Sequence, residues 1–380
     1  MSAILPGATI GILGGGQLGR MTALAARELG YRVIVMDPDP ECAARGVVDR
    51  VVVGSFDDAD AAAWLASESA VVTYEIEKIG PSALTAVQAH APLRPAPRLL
   101  GIVQDRAAQK RWLSDQGFPI GSWREAGSPE ELSIAAAALG RCRAKSRHGG
   151  YDGRRQHRFS AAMTSAEIAR AWEAVGAAAC VVEAELDLEA ELSVMVARRP
   201  SGESVVYPPP QNWHRDGILD LSVLPGELPE RAVAEAKRQT LAMAEAFGLE
   251  GLLAVEWFLT RDGRVLVNEM APRPHNTFHA TDAACVTSQF EQLVRAVCDL
   301  PLGSTDITRP TALLNLLGDL WLKDAPPPIE QVLAIPGLRL HLYGKAPRPG
   351  RKVGHLLAVA ETPALALERV RAAREILGVR

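Results

Sequence analysis

The 380-residue chain is poor in cysteine, in net charge and in long apolar runs, and each shortage excludes something. Its five cysteines, Cys42, Cys142, Cys180, Cys285 and Cys298, are odd in number, scattered and free of CxxC spacing. That excludes a disulfide framework and a zinc site, and reads as the reduced thiols of a cytoplasmic protein. The net charge is only −4, so no global basic field argues for nucleic acid. No apolar run approaches the ~20 residues that span a bilayer, so no membrane partner is expected. The opening MSAILPGATIGILGGG is apolar but has no basic segment before it, and reads as a first strand, not a secretion signal. Internal repeats and low-complexity segments are missing too. The rest is ordinary globular composition, 48% hydrophobic and 23% charged, long enough for two or three domains.

The positive signals begin with a βαβ unit. An apolar strand at Thr9–Leu13 leads into Gly14-Gly15-Gly16-Gln17-Leu18-Gly19, a helix over 20–29 capped by Gly30, and a second strand over 32–36 that ends at Asp37. Such a start implies a parallel, doubly wound sheet. Pro92, Pro95 and Pro97 mark a boundary near residue 100. Beyond it the pattern predicts a helix over 104–116, strands over 143–146, 180–183 and 191–197, and helices over 161–175 and 231–247. A further helix is expected over 288–298. Short strands near 338–343 and 356–360 and a helix over 363–377 complete the chain.

The most informative stretch is AVEWFLTRDGRVLVNEMAPRPHN, from Ala254 to Asn276. Two apolar strands, each carrying a glutamate, flank an Asp262-Gly263 turn, a strong hairpin signal. With Asp262 and Gly263 as the two central turn residues, Arg261 pairs with Arg264 and Glu256 faces Glu269, Cβ atoms ~5 Å apart. Opposed carboxylates repel, unless hard oxygen ligands are wanted for a cation such as Mg²⁺. The competing reading is a solvated face on which the two glutamates splay apart.

Other motifs are double-edged. Gly14, Gly16 and Gly19 with Asp37 fit a dinucleotide fingerprint, but tight packing explains the glycines equally well. Lys145 followed by Gly149-Gly150-Tyr151-Asp152-Gly153 suits a polyphosphate under a closing glycine flap, or a plain surface hairpin. Arg106 and Lys110 at a helix start, Glu183 and Glu191 around a short loop, and His214 in a polar loop have bland solvated alternatives. Pro272 and Pro274 stiffen the segment that carries Arg273, His275 and Asn276. The cations of Lys345, Arg348, Arg351 and Lys352 form a rigid basic loop that fits a phosphate or is merely solvated.

Together and in this order the motifs resemble the ATP-grasp superfamily, and within it the N5-carboxyaminoimidazole ribonucleotide synthetase family of purine biosynthesis. The resemblance spans nearly the whole chain: GGGQLGRM, TYEIE at 73–77, QDRAAQK at 104–110, KSRHGGYDG at 145–153, NWHRDGIL at 212–219, NEMAPRPHN at 268–276, TSQFEQ at 287–292, NLLGD at 315–319 and RPGRKVGH at 348–355. It implies an α/β ATP-grasp fold: an N-terminal Rossmann-like domain over 1–100, an ATP-grasp domain over 101–305 with a flap subdomain at about 118–185, and a small mixed α/β C-terminal domain over 306–380. It implies that ATP is held by Arg106, Lys145, the flap residues Gly150, Tyr151, Asp152, Gly153, Arg154 and Gln156, the hinge Glu183, Ala184, Glu185 and Leu186, and by Glu191, His214, Asn268 and Glu269. Glu256 and Glu269 would ligate Mg²⁺, or Mn²⁺ in its place. Arg273, His275, Asn276, Tyr151 and Asp152 would surround bicarbonate and the amine of 5-aminoimidazole ribonucleotide. Gly16, Gln17, Leu18, Glu75, Lys345, Arg351 and Lys352 would bind that ribonucleotide.

The implied reaction makes carboxyphosphate from bicarbonate and ATP, then carboxylates the exocyclic amine, with His275 or Asp152 managing its proton. Closure of the glycine flap would exclude water. Relatives suggest a homodimer. Arg155 stands where the family has glycine, which bears on flap flexibility, and Phe278 replaces another glycine and is expected to narrow the substrate side. Lys78 and Gly80 replace a common Asn and Pro. The rival readings are an NAD-dependent dehydrogenase, which leaves the glutamate pair idle, and another ATP-grasp carboxylase or ligase, which lacks GGYDG and RPGRKVGH. A third rival, an inactive relative, would be expected to have lost Lys145 or a glutamate.

Overall fold

The computed structural model describes residues 2–149, 155–159 and 163–379. Three sheets organise them. The first is parallel, with strand Thr9–Leu13 between Arg32–Asp37 and Val71–Tyr74, and Arg50–Val53 at the edge beyond Arg32–Asp37. Its core strands are almost continuously apolar because helices cover both faces. The helix after the glycine loop spans Gln17–Glu28. It starts nearer the glycines than expected, because Gly16 itself is the cap residue.

A second, antiparallel sheet has the order Trp123–Ala126, Cys180–Ala184, Cys142–Ser146, Gln156–Phe159. Its strand Cys142–Ser146 alternates strictly: Cys142, Ala144 and Ser146 are buried, Arg143 and Lys145 only partly buried. The period of two therefore sends one face to a small core under helices Pro129–Leu139 and Ser165–Ala174, and both cations to the other.

The third sheet has nine strands and contains the hairpin. Strand Gly251–Thr260 lies in it between Val265–Ala271 and Leu188–Arg198. The sheet runs on through Gln211–Arg215 and Ile218–Leu224 to Thr311–Leu317, Lys352–Val359 and Leu338–Leu342. The last three come from the C-terminal region, and their backbone hydrogen bonds continue the same sheet, Leu221 opposite Leu314. The reason is visible in the strand edge: Ile218–Leu224 is buried throughout its second half and needs a partner on its free side. The first and third sheets also share one core, in which Ile10, Val33 and Val35 pack with Leu252, Phe278, Leu293 and Val297.

The helix expected over 104–116 is Arg106–Asp115, and a separate helix, Pro97–Gln104, precedes it. Asp105 breaks them with extended backbone and accepts hydrogen bonds from the N–H groups of Ala107 and Ala108. His214 is not in a loop but in strand Gln211–Arg215, beside an irregularity between Trp213 and His214. Among the described residues no helix is long and apolar enough to cross a membrane.

Candidate functional site

The hairpin brings Glu256 opposite Glu269, but by a different route from the one its sequence suggests. The loop holds three residues, Arg261, Asp262 and Gly263: Thr260 N–H donates to Arg264 O at 3.0 Å, and Gly263 has φ +80°. Near the turn the register is therefore one residue off expectation, with Leu259 opposite Val265 and Trp257 opposite Val267. A bulge at Asn268 then inserts one residue and restores the expected pairing at Glu256–Glu269. The bulge turns Asn268 toward the same cleft as Glu269. Its amide donates to Glu256 Oε2 at 3.1 Å.

Burial and the neighbouring Glu269 charge raise Glu256 above the usual carboxylate range. Burial would raise Glu269 as well, but Arg106 and Lys145 outweigh it and hold Glu269 low. Arg106 Nη1 sits 3.1 Å from Glu269 Oε2. Arg106 opens its helix, directly after the Asp105 cap, which aims it across the cleft. Ligand atoms of Glu256, Glu269 and His275 lie within 4.8 Å of one another. Two opposed carboxylate oxygens with an imidazole nitrogen form a donor set that fits a divalent cation.

Next to this pair stands a lysine cluster. Lys145 Nζ donates to Glu183 Oε2 at 2.6 Å and reaches Asn268 Oδ1 at 3.5 Å. Lys110 Nζ lies 3.1 Å from Glu183 Oε1 and donates to the carbonyl of Asn268 at 3.3 Å. Burial would raise Glu183; the two ammonium groups outweigh it and hold its carboxyl far below the usual range. Desolvation and the neighbouring cations push Lys110 down. Glu191 and His214 face each other at 2.7 Å across adjacent strands. Burial alone would lower His214, but Glu191 and Glu256 lift it to about 9. Ala184, Glu185, Leu186 and Gln156 complete this wall.

The opposite wall is built around Arg273. Its guanidinium grips Glu77, Nε to Oε1 at 2.7 Å and Nη2 at 2.6 Å. His275 Nδ1 meets Thr277 Oγ1 at 2.9 Å, and its Nε2 lies 3.6 Å from Glu256. Burial and Arg273 push His275 down to about 3, so the ring is neutral. Gln17 and Lys345 are hydrogen-bonded to each other, with Gly16, Leu18, Arg351, Lys352 and Asn276 around them. All of these residues except the buried Thr277 border one cleft of about 1620 Å³. Of the expected site residues, Gly150, Tyr151, Asp152, Gly153 and Arg154 lie outside the described residues; every other one borders the cleft.

The dinucleotide reading of the glycine loop loses its anion site. Glu75 Oε1 and Oε2 accept the N–H groups of Gly16 and Gly19 at 2.8 and 3.2 Å, and Asp37 accepts that of Gly15 at 2.8 Å. A carboxylate of the protein thus occupies the helix N-terminus where a pyrophosphate would sit. The glycines serve close approach: a Cβ on Gly16 would stand 2.5 Å from Glu75 Oε1.

Two readings of single residues are revised, Phe278 and Lys110, and the backbone at Arg155 adds to a third. Phe278 does not narrow the cleft. It is fully buried, its ring edge-on to Tyr207 at 6.0 Å, in the core shared by two sheets. Arg155 has φ +54°, the left-handed region that favours glycine, which gives the family's glycine there a physical reason. Lys110 is no solvated helix face, being only 5% exposed. The sequence signal for it was present: Lys110 stands four residues after Arg106, on the same helix face. Glu77 was missed as a site residue, although it closes the TYEIE segment. A lone carboxylate does not announce a partner 196 positions away.

Family models match nearly end to end: a ribonucleotide synthetase preATP-grasp domain over residues 7–104, an ATP-grasp domain over 111–290, and a phosphoribosylaminoimidazole carboxylase C-terminal domain over 311–369. The N5-carboxyaminoimidazole ribonucleotide synthase of Brucella melitensis is 40% identical over 94% of this chain and 98% of its own length. The crystal structure of an ADP complex of an N5-carboxyaminoimidazole ribonucleotide synthetase superimposes with TM-score 0.93 at 39% identity, covering 99% of this chain and 98% of that one. The Aspergillus clavatus synthase in complex with ADP and 5-aminoimidazole ribonucleotide superimposes with TM-score 0.87 at 30% identity, over 98% of each chain.

Proposed function

This chain belongs to the N5-carboxyaminoimidazole ribonucleotide synthase family of ATP-grasp ligases, and from that premise we propose how its cleft carries out the family's reaction. The reaction is ATP-dependent carboxylation of 5-aminoimidazole ribonucleotide to N5-carboxyaminoimidazole ribonucleotide, a step of purine biosynthesis. One observation carries the assignment of roles: the carboxylate pair, the Lys145–Glu183–Lys110 cluster and the Arg273 end share a single cleft.

ATP lies along the hinge Glu183, Ala184, Glu185 and Leu186, its ribose toward Glu191 and His214. Its phosphates reach Arg106 and Lys145. Lys145 exchanges its Glu183 partner for a phosphate oxygen. Glu256 and Glu269, with Asn268 beside them, hold the divalent metal; we assign Mg²⁺, with Mn²⁺ as the alternative. A bound divalent ion supplies charge neutralisation on the transferring phosphoryl group.

Bicarbonate oxygen attacks the γ-phosphorus, the bond to ADP breaks, and carboxyphosphate results. The exocyclic amine of the ribonucleotide then takes the carboxyl group, phosphate leaves, and a proton departs from nitrogen. Arg273, held by Glu77, offers fixed N–H donors where negative charge gathers. His275 enters neutral, so it hydrogen-bonds readily but takes a proton only weakly. Lys345, Arg351 and Lys352 bind the ribonucleotide 5′-phosphate, and Gly16, Gln17, Leu18 and Glu75 shape its ribose side. Water exclusion is assigned to the glycine-rich segment 149–156, which carries Tyr151 and Asp152. The five free thiols support a cytoplasmic setting. A homodimer is supported by Leu24 and Leu342, both 46% exposed in one groove.

The test is ADP release in bicarbonate buffer, with and without 5-aminoimidazole ribonucleotide. Stimulation by the ribonucleotide is expected. Bicarbonate-dependent ATP hydrolysis that ignores the ribonucleotide would overturn the substrate assignment.

A further inference from the structure

A column of three histidine rings runs from the C-terminal strands to the floor of the cleft. His341 and His355 are opposed on neighbouring strands and stack at 4.5 Å, 7° from parallel. His355 stacks in turn on His279, again 4.5 Å apart and 7° from parallel. Phe290 lies against the far side of His279, ring centroids 5.8 Å apart. Tyr343 OH meets His355 Nδ1 at 2.7 Å and fixes its rotation. His279 and His355 are both fully buried. The last polar contact of the column is His279 Nε2 to Asn276 Oδ1, 3.1 Å, and Asn276 borders the cleft.

The direction of that hydrogen bond can be deduced. Desolvation and the adjacent His341 push His279 well below its ordinary value, so the ring is neutral and carries one N–H. Its Nδ1 is buried and has no hydrogen-bond partner among the described residues. A buried unpaired acceptor is tolerated more often than a buried unpaired N–H. The proton therefore resides on Nε2 and is donated to Asn276 Oδ1. The amide of Asn276 then has its oxygen engaged and its NH₂ group turned outward.

We propose that His279 is a positioning residue for the carboxylation: its Nε2–H holds the Asn276 oxygen, so that Asn276 offers two N–H donors to the carboxylate-type oxygens of bicarbonate and carboxyphosphate. The stack of His355 and His341 holds the His279 ring in the plane this requires. The inference rests on the reaction assigned above. It adds that recognition of the one-carbon anion depends on the orientation of an amide set by a residue that touches no substrate. The opposite orientation would aim a carbonyl oxygen at an anion and repel it.

Three variants and a spectrum test this. Wild type first has to show ribonucleotide-stimulated, bicarbonate-dependent ADP release; without it the underlying reaction assignment fails, and this inference with it. Given that activity, His279→Phe keeps an aromatic ring in the stack but loses the N–H. It is expected to raise KM for bicarbonate about tenfold with KM for ATP unchanged, the scale of one hydrogen bond at about 1.4 kcal/mol. His279→Gln can still donate to Asn276 and should recover most of the loss. In an Asn276→Ala background His279→Phe should have no further effect on bicarbonate. Unchanged bicarbonate KM, equal rises for bicarbonate and ATP, no recovery by glutamine, or additivity with Asn276→Ala each overturn the proposal. Independently of any variant, ¹⁵N spectra of histidine-labelled protein should show the Nε2–H tautomer at His279, and the Nδ1–H tautomer overturns it.

Discussion

Glu256 shows how a site residue departs from what stability alone would choose. Its carboxylate is buried opposite Glu269, and its affinity for a proton is raised by both effects. A carboxyl whose folded-state pKa is raised costs stability as pH rises past its unfolded value, and the cost is complete above the folded pKa, because folding then opposes ionisation. Glu256→Gln is therefore expected to raise Tm in metal-free buffer, more at pH 8.5 than at pH 5, while lowering ADP release at least a hundredfold. A Tm lower at both pH values would contradict the repulsion. His214 works the other way. Its folded pKa is raised to about 9 from 6.5, so its pairing contributes fully below about pH 6.5 and fades as pH rises toward 9. Unfolding of wild type against His214→Gln should show a gap of up to a few kcal/mol at pH 6 that closes by pH 9.5; a gap independent of pH would exclude the ion pair as its source. At Arg155, replacement by glycine should stabilise the protein by about 1 kcal/mol, the cost of a left-handed residue with a Cβ. Chemical denaturation curves provide that comparison, and no change would mean the backbone there relaxes freely.

At the scale of elements, the hairpin gives the main lesson. Its strands were legible because Ala254–Leu259, apart from Glu256, and Val265–Val267 are apolar runs around an Asp-Gly turn. The turn was misread as two residues, and the bulge was not visible at all. The two errors cancel at Glu256–Glu269, since a longer loop slips the register one way and an inserted Asn268 slips it back. No local signal marks a bulge when the inserted residue is polar and the neighbours are ordinary. Deleting Asn268 should then leave the glutamate pair opposed and Tm within a few degrees of wild type, but lower turnover as much as Asn268→Ala. A collapse of Tm for the deletion alone would mean that the bulge also carries the fold. The strand Cys142–Ser146 was easier, because strict alternation in a short strand decides which side chains share a face. Trp257, fully buried with its indole N–H on Thr240 at 3.1 Å, ties the hairpin to helix Glu230–Phe247.

At the scale of the whole molecule, the cleft exists because three sheets meet around it. Glu77 from the first sheet's border holds Arg273 from the third, and Lys145 from the second reaches Glu183 beside it and Asn268 on the third. A ligand that touches all of them should stabilise the folded chain as a unit. ATP with MgCl₂, at a hundred times its dissociation constant, is expected to add about 2.7 kcal/mol, read as a rise in Tm. Glu256→Gln should lose most of the metal-dependent part of that rise; a rise that needs no divalent ion would count against the carboxylate site. Glu77→Gln, which frees Arg273 without touching the nucleotide wall, should lower kcat at least tenfold and leave the ATP-induced rise intact.

Composition and local pattern determined the α/β class, the strands and helices, and the motifs from which the family could be recognised. These rest on interactions between near neighbours in the chain: period, caps, turns and glycine tolerance. Only the tertiary structure decided that Lys110 is buried on Glu183, that Glu77 grips Arg273, that Glu75 fills the glycine loop, and that the C-terminal strands extend the central sheet. Each of those joins residues far apart in sequence, and their pairing is settled by which faces must be covered and which charges must be matched once the sheets have met. The glutamate pair belongs to both accounts. Its opposition was legible in the chain, while the charges of Arg106, Lys145 and His214 that make it a usable site came only with the fold.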